Sequence, residues 1–170
     1  MLSPTLQAAM NDQITNEMFA SNQYLAMSAY FEDLSLPGFA QWMRMQAEEE
    51  REHAMKFYDF IHDRTGQVRL QGIDPPLVEF ASPLDVFEKA LEHEQRVSRQ
   101  INAIYALAVR ENDFASQAFL NWFVTEQVEE EKNSQQLVDT LRMVGDRGDA
   151  LVMLDRELGA RRAAQQMEPE

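Results

Sequence analysis

Four glutamates, Glu17, Glu50, Glu94 and Glu130, stand where a helical sequence should be apolar. Each interrupts a stripe of core-forming residues spaced at three and four, the period of one helix face. The stripes read Met10, Ile14, Glu17, Ser21, Tyr24, Ser28, Phe31; then Phe39, Met43, Gln46, Glu50, His53, Phe57, Phe60. They continue as Leu84, Phe87, Leu91, Glu94, Ser98, Ile101, Tyr105; then Leu120, Phe123, Gln127, Glu130, Ser134, Leu137, Leu141. His53 and Gln127 lie three residues from two of the acids, on the same faces. A buried carboxylate is costly unless its charge is met, and no lysine or arginine falls on these stripes. Metal cations are the remaining countercharge. Carboxylates with one imidazole suit Fe(II), Fe(III) and Mn(II). The Glu50-Arg51-Glu52-His53 run places two ligands one turn apart, within reach of one ion. Four inward carboxylates can hold two ions about 3–4 Å apart, and two irons can pass two electrons together to O₂ or H₂O₂. An E-x-x-H spacing alone is common on solvated helix faces; the joint pattern over four helices carries the argument.

The elements that must position these residues are marked by scarce glycine and proline. Ser3-Pro4 opens a first helix, and Leu36-Pro37-Gly38 breaks it from a second. Residues 66–81 hold Gly72 and Asp74-Pro75-Pro76 and read as a long connection. Ser82-Pro83-Leu84-Asp85 is an N-cap followed by proline and an early acid. Asn112-Asp113 is a short break, and Gly145 and Gly148 bracket another. The spacing predicts long helices over about 5–35, 38–65, 83–111 and 114–144, and a shorter one over about 149–160 with Leu151, Leu154 and Leu158 on one face. Residues 161–170 lack a core pattern and are expected to be a mobile tail after a single domain of residues 1–160. Short turns pair helices one with two and three with four. The long connection, about sixteen residues, can travel the bundle's length. The expectation is an all-α four-helix bundle with helices two and three parallel and a crossover between them. An up-down-up-down bundle with an ornamental loop is the alternative.

Composition narrows the classes further. A chain of 170 residues, 45% hydrophobic, suits one domain with a sizeable core. Cysteine is absent, which excludes disulfides, zinc fingers and thiolate-bound clusters. No run of eighteen apolar residues is present, and Met1 to Met10 lack the features of a secretory signal, so a cytoplasmic protein with no membrane partner is expected. The net charge of −14 would repel nucleic acid and attract cations, although acidity also serves solubility alone.

With these residues in place, the chain resembles the non-haem bacterial ferritins over roughly residues 1–160. The resemblance rests on Glu17 with Tyr24, on Ala47-Glu48-Glu49-Glu50-Arg51-Glu52-His53-Ala54 and on Glu92-His93-Glu94-Gln95. It extends to Asn121-Trp122-Phe123-Val124-Thr125-Glu126-Gln127-Val128-Glu129-Glu130-Glu131-Lys132. It implies a ferroxidase that oxidises Fe(II) with O₂ or H₂O₂ and stores ferric mineral in a hollow shell of twenty-four subunits, with the fifth helix lining four-fold pores. It implies a di-iron centre in which Glu17, Glu50 and His53 bind one iron, Glu94 and Glu130 bind the other, Glu50 bridges and Gln127 supports. It implies a third iron position on Glu49, Glu126 and Glu129, with Glu130 shared. Those three acids also read as a solvated acidic patch. Tyr24 matches a tyrosine that can donate an electron; it reads equally as a core aromatic whose hydroxyl finds a carboxylate. Trp122 is expected to pack, and His62 and His93 to lie at the surface without binding metal.

Departures from neighbouring families are informative. Bacterioferritins carry a haem-binding methionine where Arg51 stands, so no haem is expected. They also repeat E-x-x-H on the fourth helix, where Gln127-Val128-Glu129-Glu130 stands here. Animal ferritins line three-fold channels with acids that Gln117-Ala118-Phe119-Leu120-Asn121 lacks, so an acidic entry of that kind is not expected. Rubrerythrin-like peroxidases usually show two E-x-x-H elements and often a cysteine-rich domain. DNA-coating mini-ferritins lack a fifth helix. A helical scaffold without a working centre would not need the full ligand set.

Overall fold

A computed structural model describes residues 1–145 and 147–165, with side chains through Ala160. The helices are α1 (Pro4–Asp33), α2 (Pro37–Asp63), α3 (Pro83–Arg110), α4 (Phe114–Val144) and α5 (Gly148–Gln165). No strand occurs among the described residues. Side chains at the starts take up backbone donors that a first turn leaves unpaired. Ser3 accepts from the Leu6 N–H at 3.1 Å, Ser82 from that of Asp85 at 3.1 Å, and Asp113 from that of Ser116 at 3.0 Å. Proline occupies the first turn of α1, α2 and α3, where its missing N–H costs nothing.

The long connection from 64 to 82 is a crossover. Near its start, the Gln67 N–H donates to Gln7 at 2.8 Å and the Arg69 N–H to Asn11 at 2.6 Å. Further along, Leu77 exchanges two hydrogen bonds with Gln23, at 2.8 and 2.9 Å, and Phe80 packs edge-on against Tyr30. The connection thus follows α1 from its first turns to its last. Where α2 ends, Arg64 makes a two-pronged ion pair with Asp113, at 2.9 and 3.0 Å, tying that end to the start of α4. The end of α2 therefore meets the start of α4 and the end of α3, so α2 and α3 run parallel.

The core divides in two. One apolar cluster contains Met27, Phe31, Phe39, Met43, Phe87, Val138 and Leu141; the other contains Leu6, Met10, Phe57, Ile61, Ile101, Leu120 and Phe123. Between them lies a polar waist holding the four stripe glutamates. Leu151, Leu154 and Leu158 of α5 pack on the first cluster, as their spacing predicts. The helix runs past the expected end at residue 160 to Gln165, so the first part of the expected tail is helical; residues 166–170 lie outside the described ones.

Leu36-Pro37-Gly38 breaks the chain as expected, but the left-handed residue there is Ser35, with φ of 58°. Gly38 serves a different purpose. A Cβ on it would collide with the backbone carbonyl of Asp155 in α5, and one on Gly159 would lie 3.3 Å from Gly38 Cα. The buried Asp155 carboxylate accepts from the Phe39 N–H at 2.8 Å, supplying the cap that Leu36 at the start of α2 does not. Asp155→Ala should remove a cap worth about 1 kcal/mol. Gly38→Ala should displace α5 outright, since backbone cannot yield as a side chain can. Limited proteolysis should cut α5 faster in Gly38→Ala than in Asp155→Ala, with the helical content of the four long helices retained in both.

Candidate metal centre

Glu17, Glu50, His53, Glu94, Gln127 and Glu130 are all buried at the waist. Ligand atoms of Glu17, Glu50 and His53 lie within 4.8 Å of one another, as do those of Glu50, His93 and Glu94. Glu50 belongs to both groups and sits between them. His53 Nδ1 stands 3.5 Å from a Glu50 oxygen across one helical turn. Its ring is held edge-on by Phe123 and by Trp122, whose centroid is 5.3 Å away. Trp122 is 40% exposed and carries the Lys56 ammonium over its outer face, so it shields His53 rather than filling the core.

Neutral donors orient the acids. The amide of Gln13 donates to Glu17 at 2.8 Å, that of Gln46 to Glu130 at 3.0 Å, and that of Gln127 to Glu94 at 3.2 Å. The Tyr24 hydroxyl donates to the other Glu94 oxygen, so its aromatic-with-a-carboxylate reading describes the contact. Gln13 and Gln46 escape a reading that looks for acids and histidine. Their signal is an amide four residues before Glu17 and before Glu50.

His93 corrects the expectation that it lies at the surface: it is only 6% exposed. The buried side of α3 takes in Phe87, Glu94 and Ile101 of the expected stripe together with Val86, Ala90, His93, Val97, Ile104 and Ala108, whereas Leu84, Leu91, Ser98 and Tyr105 of that stripe are half-buried. His62 is exposed, as expected. Arg51 is exposed and pairs with Glu48 at 3.4 Å. Glu49, Glu126, Glu129 and Glu130 line one cleft of about 670 Å³ on the α2–α4 side. The first three do not close into a group as tight as those around Glu50.

No lysine or arginine is buried among the described residues, and the acids respond by holding protons. Burial, then the facing Glu50, pushes Glu17 well above the usual carboxylate range; burial, then Glu94, does the same to Glu50. Burial raises Glu94 to about 7 against the hydrogen bonds from Tyr24 and Gln127, and burial with Glu94 and Glu49 raises Glu130 to about 8. Burial, then Glu94, raises the Tyr24 phenol.

A bundle with a lengthwise crossover and acids at its waist belongs to the ferritin-like class, and residues 7–144 match the family model of the ferritin-like domain. The bacterial non-heme ferritin of Staphylococcus aureus (strain USA300) is 40% identical over 161 residues, covering 95% of this chain and 97% of that protein. That of Bacteroides fragilis (strain 638R) is 44% identical over 161 residues, covering 95% and 100%. The open-pore ferritin of the hyperthermophilic archaeon Archaeoglobus fulgidus superposes with a TM-score of 0.93 at 42% identity, covering 94% of this chain and 98% of that one. The chain belongs to the ferritin family, whose work is iron storage.

The raised carboxyls have a testable consequence. A group whose pKa rises on folding binds more protons in the folded state. Its stabilisation is complete below the ordinary value and fades as pH climbs through the folded one. Metal-free protein should therefore lose stability to urea between about pH 5 and pH 8.5, through the Glu94 and Glu130 values of about 7 and 8. Glu130→Gln should flatten that decline. Anaerobic Fe(II) addition near pH 7 should release protons, since a carboxylate must ionise to bind.

Proposed function

We propose that the waist is a ferroxidase centre that takes two Fe(II) ions as substrate, oxidises them with O₂ or H₂O₂, and passes ferric iron to a mineral store. The observation that carries this reading is the delivery of one buried carboxylate from each of four helices to one level, with His53 and with no lysine or arginine buried among the described residues. Glu17, Glu50 and His53 hold one ion; Glu94 and Glu130 hold the second; Glu50 bridges, and Gln127 orients Glu94. Each Fe(II) gives one electron. O₂ takes two electrons and two protons to become H₂O₂, or H₂O₂ takes the same to become two waters. Paired donors avoid releasing one-electron products. Tyr24, bonded to Glu94, stands where it can supply a further electron.

Glu49, Glu126 and Glu129, with Glu130, form a third position in the α2–α4 cleft. All-oxygen ligands suit a hard cation, and without imidazole this position binds iron more weakly than the pair and passes it between centre and store. The store is a closed, cage-like assembly, which we take to be of twenty-four subunits, with the α2–α4 cleft facing its interior and α5 at the four-fold pores. Among the described residues no helix is long and apolar enough to cross a membrane.

Stopped-flow absorbance after mixing with Fe(II) in air tests the centre. His53→Ala and Glu50→Ala should each lose the fast phase, slowing oxidation by about a hundredfold or more, in the range that losing a positioned group costs. Wild-type rates in both would sink the assignment. Replacing Glu49, Glu126 and Glu129 together by alanine should keep the first fast turnover but change the Fe(II):O₂ ratio and slow later ones. Anaerobic Fe(II) soaks of crystals should show a third ion, and an empty third position at saturating iron would defeat that part.

A further inference from the structure

His93 is a buried polar group that the centre described above does not use. Its Nε2 is sealed from solvent and has no hydrogen-bond partner. A buried ring nitrogen left unpaired is costly, so an occupant or partner is expected in the working state. A ring nitrogen of His93 lies within 4.8 Å of a Glu50 oxygen and a Glu94 oxygen, which by distance alone would make it another metal ligand.

Arg96 decides against ligation. Its Nη2 lies 2.7 Å from His93 Nδ1. A guanidinium has donors only and keeps its proton at any working pH, so Nδ1 must accept. In the neutral ring the proton is then on Nε2, and an N–H offers a metal no lone pair. An Nδ1 that accepts from Arg96 carries no proton of its own, so the arrangement itself calls for the neutral ring. Arg96 is itself steadied over the Phe19 ring, 5.8 Å from its centroid, in the cleft between α1, α3 and the crossover. Tyr24 stands edge-on to the imidazole at 6.0 Å and bonds to Glu94, so two donors approach the same carboxylate neighbourhood.

We propose that His93 is a positioning residue and not an iron ligand: with its tautomer set by Arg96, its Nε2–H donates to the Glu50–Glu94 carboxylate edge and fixes the oxygens that receive the second iron. The proposal rests on the di-iron reading of the waist. Carboxylates drawn in around a cation supply the acceptor that Nε2 lacks in the metal-free arrangement.

The test uses Co(II), which binds without being oxidised and whose visible bands report its ligands, on the full assembled protein. Wild type, His93→Gln, His93→Leu and Arg96→Leu are compared for Co(II) stoichiometry and bands, then for the initial rate of Fe(II) oxidation. All four should bind the same number of Co(II) per subunit, two of them tightly at the waist, with unchanged bands in the His93 variants. The rate should fall about tenfold in His93→Leu and in Arg96→Leu, the scale of one lost charge-assisted hydrogen bond. His93→Gln should recover most of it, because its amide can donate from nearly the same place. Loss of one Co(II) in His93→Leu would make His93 a ligand and overturn the proposal. So would a glutamine variant no better than leucine, or wild-type rates throughout. Should His93→Leu fail to assemble, stoichiometry and rate in His93→Gln and Arg96→Leu carry the same decision. Wild-type protein that binds no Co(II), or binds it equally after Glu50→Ala, would instead refute the di-iron reading itself.

Discussion

Carboxylates buried without a base are the constraint on which the rest of this structure depends. Glu17, Glu50, Glu94 and Glu130 share one cross-section of the bundle, and no lysine or arginine is buried among the described residues to meet them. Amide and phenol donors offset part of the cost, and holding protons meets the rest, as the raised carboxyls record. A layer with such repulsion cannot hold helices together, so cohesion must come from elsewhere. It comes from the two apolar clusters above and below, each with its own set of packed aromatics. The length of the helices follows from this arrangement: α1 has 30 residues and α4 has 31, enough to reach through both clusters with a waist between.

The stripes bearing Glu17, Glu50, Glu94 and Glu130 were legible as buried faces, and all four acids are buried. On α3 the stripe is only partly inward: Phe87, Glu94 and Ile101 are buried, while Leu84, Leu91, Ser98 and Tyr105 are half-buried and Val86, Ala90, His93 and Val97 turn inward beside them. Periodicity fixes that a helix has an inner face but leaves its rotation by about one residue undetermined. The crossover lying along α1, with α3 beneath it, settles it and buries His93. The same limit hid Asp155. Its role as a cap on α2 arises from a contact across 116 positions in the chain, for which local spacing carries no signal. Leu36-Pro37-Gly38 marks a break between two helices, yet the requirement at Gly38 itself is the close approach of α5. The crossover itself was inferable from connection length, because sixteen or so residues have to go somewhere.

The two faces of the bundle differ in charge, and the difference bears on traffic. The α2–α4 cleft is lined by Glu49, Glu126, Glu129, Glu130 and Glu157. The cleft between α1, α3 and the crossover is lined by Lys89, Arg96 and Arg99 beside Glu92. A cation is favoured on the first side and disfavoured on the second, and the bias acts over roughly a Debye length, about 8–10 Å in ordinary salt. The net charge of −14 is thus not spread evenly over the two clefts: acids gather in the α2–α4 cleft, and bases offset them where Arg96 reaches His93.

Within the waist the amides are distributed unevenly, and the unevenness bears on which acid can bridge. Gln13, Gln46 and Gln127 each donate to one carboxylate, those of Glu17, Glu130 and Glu94. An amide holds one oxygen of Glu17 and of Glu130, whereas both Glu94 oxygens are engaged, by Tyr24 and by Gln127. Glu50 receives no amide among the described residues; its near neighbours are the Glu17 side chain, to which it is hydrogen-bonded, and His53 Nδ1, at 3.5 Å. It is also the one acid shared by both close groups. A bridge between two cations needs one carboxylate within reach of both. On the proposed di-iron reading that position suits Glu50, and the proton shared with Glu17 is what a cation would have to displace.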